Sequence, residues 1–153
     1  MKVAEGLLLR SDLQKRLDSL RERIGRSALV QEGEKPAEDP RALLDQVLAV
    51  SDQLTRLVFA INEANFTGAT ARGRSLTEAL AERDSLTRRH AILEAAAAHA
   101  SKPPDRYGLK EIRWVAVLDV AEVRRSLDDL ARQIREINVE IQAANWVVDL
   151  KNV

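Results

Sequence analysis

The sequence predicts an all-α fold: an antiparallel four-helix bundle made of two copies of a long helical hairpin. Three observations predict it. First, between Asp39 and Phe66 the apolar residues Leu43, Val47, Val50, Leu54, Leu57 and Ile61 are spaced 4, 3, 4, 3, 4. That is the stripe of a helix packed along one side. Second, the plan recurs eighty residues later, from Asp119 to Trp146, where Val123, Leu127, Leu130, Ile134, Ile137 and Ile141 keep the same spacing. Both copies begin at an Asp and end in Ala-Asn-aromatic. Third, an offset of 73 aligns the opening stretch with the one after residue 74: Val3 with Leu76, Glu5 with Glu78, Leu7 with Leu80, Arg10 with Arg83, Leu13 with Leu86 and Leu20 with Leu93. The chain therefore reads as a single helical domain, 1–153, with an internal repeat of 1–66 and 74–146.

Taken in order, the first helix is expected from about Lys2 to Arg26, with a seam of Val3, Gly6, Arg10, Leu13, Leu17, Leu20 and Ile24. Gly33, Pro36 and the acidic residues make 27–39 a loop, with a short extended piece at 28–31. The second helix starts at an Asp39 cap with Pro40 at the first helical position, where a missing N–H costs nothing. It should reach Asn65. Two glycines in 67–74 end it. The third helix begins at Ser75, where Ser75-Leu-Thr-Glu78 spells a capping box. Its seam is Leu76, Ala79, Arg83, Leu86, His90, Leu93, Ala97 and Ala100. Pro103 and Pro104 close it. Residues 112–118, Ile-Arg-Trp-Val-Ala-Val-Leu, are β-branched and aromatic and read as a strand. The fourth helix runs from an Asp119 cap to about Asn145. The tail 146–150 is again extended in character and is expected to pair with 112–118.

Composition narrows the function classes. Of 153 residues, 31% are charged and 3% aromatic, and 24 Lys and Arg balance 24 Asp and Glu. A net charge of zero argues against nucleic acid as a partner, because phosphate binding needs a basic excess. There is no cysteine, which excludes a disulfide scaffold and a thiolate zinc site. Glu5, Arg10 and Asp12 interrupt the opening Leu run, so no signal peptide is expected. Eighteen uncharged apolar residues never occur in a row, so no transmembrane segment is expected. The expected location is the cytoplasm.

The motifs offer little chemistry. Residues 68–75, Gly-Ala-Thr-Ala-Arg-Gly-Arg-Ser, nearly spell a phosphate-binding loop, but Arg74 replaces the lysine and a helix precedes it where a strand is required. A helix connection is the plainer reading. His90 and His99 are nine apart, on opposite sides of a helix, and no Glu-x-x-His pair of a di-iron bundle occurs. No catalytic set, cofactor or metal site is assigned. Arg10 and Arg83 are the notable pair, equivalent seam positions whose five donors need acceptors. Glu63 and Asn65 in one copy and Glu140 and Asn145 in the other are the candidates. The plainer reading is a buried polar clamp that fixes register. The functional one is an anion or carboxylate site at the bundle ends.

The opening KVAEGLLLRSDLQKRLDSLRERI, the segments QEGEKPAEDP and PPDRYGLKEIRWVAVLDVAEV, and the ANW near the C-terminus resemble a bacterial family of small helical proteins labelled septicolysin-like. The label implies a pore-forming cytolysin, and the resemblance carries over no catalytic motif.

Three readings follow. The first is a structural or interaction protein that acts as a homo-oligomer, dimer or higher, with Trp114, Val115, Val117 and Trp146 as interface residues because the heptad scheme leaves these apolar side chains over. The second is a small-molecule or anion-binding protein, with an enzyme as one form of it, that uses Arg10 and Arg83. The third is a membrane-active septicolysin-like protein.

Overall fold

The computed structural model describes residues 1–101 and 115–151. Four helices account for most of them: α1 (Val3–Ser27), α2 (Pro40–Thr67), α3 (Leu76–Ala100) and α4 (Val120–Asn145). Each begins and ends within two residues of its expected bounds. The chain forms two compact units, Met1–Leu76 with Gln142–Val153, and Thr77–Ile141. The helices pair as the hairpins α1·α2 and α3·α4.

Both aspartate caps are present. Asp39 Oδ1 accepts from the Arg41 N–H at 3.0 Å. Asp119 Oδ1 accepts from the N–H groups of Ala121 and Glu122 at 2.9 and 3.1 Å. Each satisfies donors that the first turn of a helix leaves unpaired. At the start of α1, the Lys2 N–H donates to Glu5 Oε2 at 2.6 Å.

In the first unit α1 and α2 run antiparallel, since Gly6 near the start of α1 lies against Ile61 near the end of α2. Val3, Leu13, Leu20, Leu43, Val50, Leu57, Ile61 and Ala64 form one buried cluster, and Leu7, Leu17, Ile24, Val47 and Leu54 pack on it. The expected seam is thus the observed one. In α4 the buried residues Val123, Ile137, Glu140, Ile141 and Ala144 sit eighty beyond Leu43, Leu57, Ala60, Ile61 and Ala64, all buried in α2. The two copies bury the same face.

The extended segments differ from expectation, and no strand forms among the described residues. Residues 28–31 belong to a loop with Leu29 exposed. It turns at Gly33, whose φ of 89° suits glycine. Arg23 and Glu38 close this loop with a two-contact ion pair, one contact being Nε to Oε2 at 2.9 Å. Residues 112–114 lie outside the described part, and 115–118 are irregular. Among the described residues the tail does not pair with 115–118. It returns to the chain's start, where Asp149 bridges Lys2.

That return repeats the α2–α3 connection. Ala69 bridges Ser75 as Asp149 bridges Lys2. The Leu76 N–H donates to the Gly68 carbonyl at 3.2 Å, as Val3 does to Val148 at 3.0 Å. Thr70 donates to Arg74 at 2.8 Å, as Leu150 does to Met1 at 2.9 Å. The offsets are those of the helices, 73 and 80, so the junction of tail and N-terminus is a second copy of the internal connection. Lys2 Nζ adds an ion pair to Asp149 Oδ2 at 2.9 Å and a bond to the Val147 carbonyl at 2.9 Å. In the internal connection Gly73 turns the chain at φ 79°. This is a tight loop between helices, and no strand precedes it.

The tail inserts Leu150 into the α1·α2 core. A Cβ on Gly6 would stand 2.4 Å from Leu150 Cδ1. At the equivalent positions the second copy has Ala79 and Thr70, so sizes are exchanged. Gly6→Ala should crowd Leu150 while gaining helix propensity, lowering stability by about 1 kcal/mol. In a Leu150→Ala background the same change should cost less or become favourable. Denaturant unfolding of the four proteins checks this, and additive costs would show that the two do not press on each other.

The two ion pairs set an acid limit. Hydrogen bonding to Arg23, with its charge, holds the Glu38 carboxyl below its ordinary range, and Lys2 does the same for Asp149. Groups lowered in the folded state stabilise it above their unfolded pKa and lose that contribution as pH falls through the folded value. A Glu38→Gln, Asp149→Asn double variant should therefore melt below wild type at pH 7. The gap should close below roughly pH 4, under the ordinary carboxylate values. A gap independent of pH would assign the loss to something other than these charges.

Candidate functional site

Helix α2 carries two apolar stripes. The seam faces α1. At about 100° per residue, Leu44, Leu48, Phe59 and Phe66 fall within roughly 60° of one another on the other side of the helix. All four are exposed, Phe59 at 72% and Phe66 at 75%. A helix in a hairpin needs one apolar stripe, so the second has no role in the hairpin seam. Single exposed apolar residues are ordinary, but an aligned row is informative.

Beside Phe59 the surface is concave. Thr55, Arg56, Phe59, Ala60 and Glu63 of α2 and Lys151 of the tail line an open groove of about 300 Å³. The tail is held over this end of α2 by its pairing with the N-terminus and by Val148 against Gly68, where an added Cβ would meet Val148 Cγ1 at 2.6 Å. The groove has an apolar floor, with two cations and one carboxylate around it.

The seam arginines are placed differently from expectation. Arg10 and Arg83 are half-buried, not enclosed. Arg83 keeps 35% of its side chain exposed and turns to Asp84, the next residue, with Nε and Nη2 at 3.1 and 2.8 Å from Oδ1. A long stem can cover the seam while the charged head stays in water, which avoids the cost of burying it. Among the described residues Arg10 forms no ion pair. Glu63 is not gathered to Arg10. It lies one turn from Phe59 and lines the groove. Asn65 is half-buried, while Asn145 and Glu140 are buried. Glu140 has a partner, and no described buried side-chain polar atom lacks one.

Of the expected interface residues, Trp114 lies outside the described part. Val115, Val117 and Trp146 are exposed, Val117 fully and Trp146 at 58%. Sequence reasoning missed the outer stripe and the groove. The signal was available: Leu44, Leu48, Phe59 and Phe66 recur at 4, 11 and 7, multiples of a helical turn. It was masked by the stronger seam beside it. Among the described residues no cluster of His, Asp or Glu is placed to hold a metal ion, and no helix is long and apolar enough to cross a membrane.

Comparison with known proteins gives kinship without a function. A crystal structure of a functionally unknown conserved protein from Corynebacterium diphtheriae is similar over 99% of both chains, with a TM-score of 0.89 and 33% sequence identity. No curated protein matches. A family model described as "Family of unknown function (DUF6847)" matches residues 10–150, and the chain belongs to that family.

Proposed function

We propose that this is a structural or interaction protein that works as a homo-oligomer in the cytoplasm. The observation that supports it is the exposure of large apolar side chains: Val115 and Val117 before α4, Trp146 at its end, and Phe59 and Phe66 on α2. Such groups are normally covered, and aromatic residues are enriched at interface cores. Closed dimers are the commonest way for a single chain to cover them. The charge balance fits the same reading, since it gives no general attraction for nucleic acid or anionic surfaces.

Light scattering coupled to size exclusion tests it. The expected mass at micromolar concentration is a multiple of 17.1 kDa, and a mass of 17.1 kDa would end the proposal. The septicolysin-like resemblance implies a competing activity, membrane lysis. Dye-loaded vesicles should stay intact with this protein, and leakage at micromolar concentration would favour the lytic reading.

A further inference from the structure

We infer that the outer stripe of α2 is the self-association surface, and that it pairs antiparallel with α2 of a second copy about a two-fold axis beside Asp52. This rests on the homo-oligomer proposal and names its surface. Four features point to a second copy.

The first is charge. Arg41 and Glu63 lie at opposite ends of the stripe, and neither forms an ion pair among the described residues. When two such helices run antiparallel with position 52 at the axis, 41 of one faces 63 of the other. Two equivalent ion pairs form at the two ends, as an isologous contact requires. The parallel arrangement would set like against like at 41, 52 and 63, whereas the antiparallel one does so only at Asp52 on the axis.

The second is shape. In the same register, Phe59 of one copy faces the space between Leu44 and Leu48 of the other. Phe59 borders the groove whose floor is Ala60, so projection and recess belong to one surface and recur on its copy. Near the axis the stripe is small and polar, Ser51 and Thr55, which lets two helices approach closely. Asp52 sits at its edge.

The third is extent. From Leu44 to Phe66 the stripe runs about 33 Å along the helix. A phenylalanine supplies roughly 150–250 Å² when buried, and Phe59 is the one that this register sets against the partner's α2, since Phe66 falls opposite position 38, before that helix starts. Leu44, Leu48, the Arg41 stem and the groove walls must contribute the rest of the ~800 Å² per partner of a stable interface.

The fourth is the internal control that the repeat provides. Positions 44, 48, 59 and 66 correspond to Arg124, Asp128, Val139 and Trp146 in the second copy. The seam kept its apolar character in both helices. The outer face kept it throughout only in α2, so folding the hairpin does not require it.

The test is the mass of exposed-residue variants, each checked by circular dichroism for retained helix. Phe59→Glu and Leu48→Glu should each weaken dimerisation by roughly thirtyfold or more, as for a hot-spot residue. Arg41→Glu and Glu63→Arg should each weaken it, and the two together should restore it. Leu29→Ser, in the exposed loop before α2, should leave the mass unchanged. If wild type is oligomeric and the α2 variants do not shift it, the α2 surface is wrong and the homo-oligomer proposal stands. If the two charge variants add and do not compensate, the antiparallel register is wrong. If wild type itself runs at 17.1 kDa, both proposals fall.

Discussion

Leu13, Leu20, Leu43, Val50 and Leu57 share one buried cluster because α1 and α2 run antiparallel with their 4–3 stripes facing. That contact is what the other features rest on. It uses the seam face of α2 and leaves the opposite face to solvent. It also brings the end of α2 beside the start of α1, which makes a site for the tail. Leu150 fits there because residue 6 is a glycine. A larger residue at 6 would lift the tail, and with it one wall of the groove at Phe59.

The repeat explains why the tail goes to the N-terminus. A duplicated hairpin has two equivalent ends after its second and fourth helices. After α2 the chain runs on through a tight loop into α3. After α4 no such loop joins the tail to the N-terminus, yet the same hydrogen bonds form to Met1 and Val3. The bond pattern is set by the helices that present it, and the connecting loop is not required for it. Lys2 and Asp149 add an ion pair where covalent continuity is missing. Arg23, Glu38 and Asp149, whose protonation is shifted, belong to this latch and to the Arg23–Glu38 pair at the other end of the hairpin. Shifts of that kind have a structural cause and do not mark an active site.

Helix positions, both aspartate caps and the seam were legible in the sequence because each depends on local spacing. Asp39 and Pro40 announce a helix start whatever lies elsewhere. The place of the tail is not legible locally, because Trp-Val-Val-Asp-Leu has strand character and points to a partner of the same character. The true partner is the end of a helix, and nothing in Met-Lys-Val signals an extended bridge. The offsets of 73 and 80 held the answer, since they carry the Ala69–Ser75 connection onto Asp149 and Lys2. Arg10 and Arg83 occupy seam positions that suggest enclosure, yet both are half-buried. Position fixes the direction of a Cβ, whereas the end of an arginine lies several bonds further on and follows solvent and carboxylates.

The comparison between the two copies also separates what folding needs from what it does not. The buried faces of α2 and α4 largely coincide, and one buried position differs in chemistry: Ala60 is matched by Glu140, a buried and partnered carboxylate. A buried charge must be paired to be tolerated, so the second copy depends on a specific contact where the first needs only a methyl group. The outer faces disagree more broadly. Arg124 and Asp128 put charge where Leu44 and Leu48 put hydrocarbon. Two hairpins with the same core and different exteriors have the same folding problem and different surroundings. The apolar exterior belongs to the copy whose seam is already complete, so its stripe is left to meet something outside the hairpin.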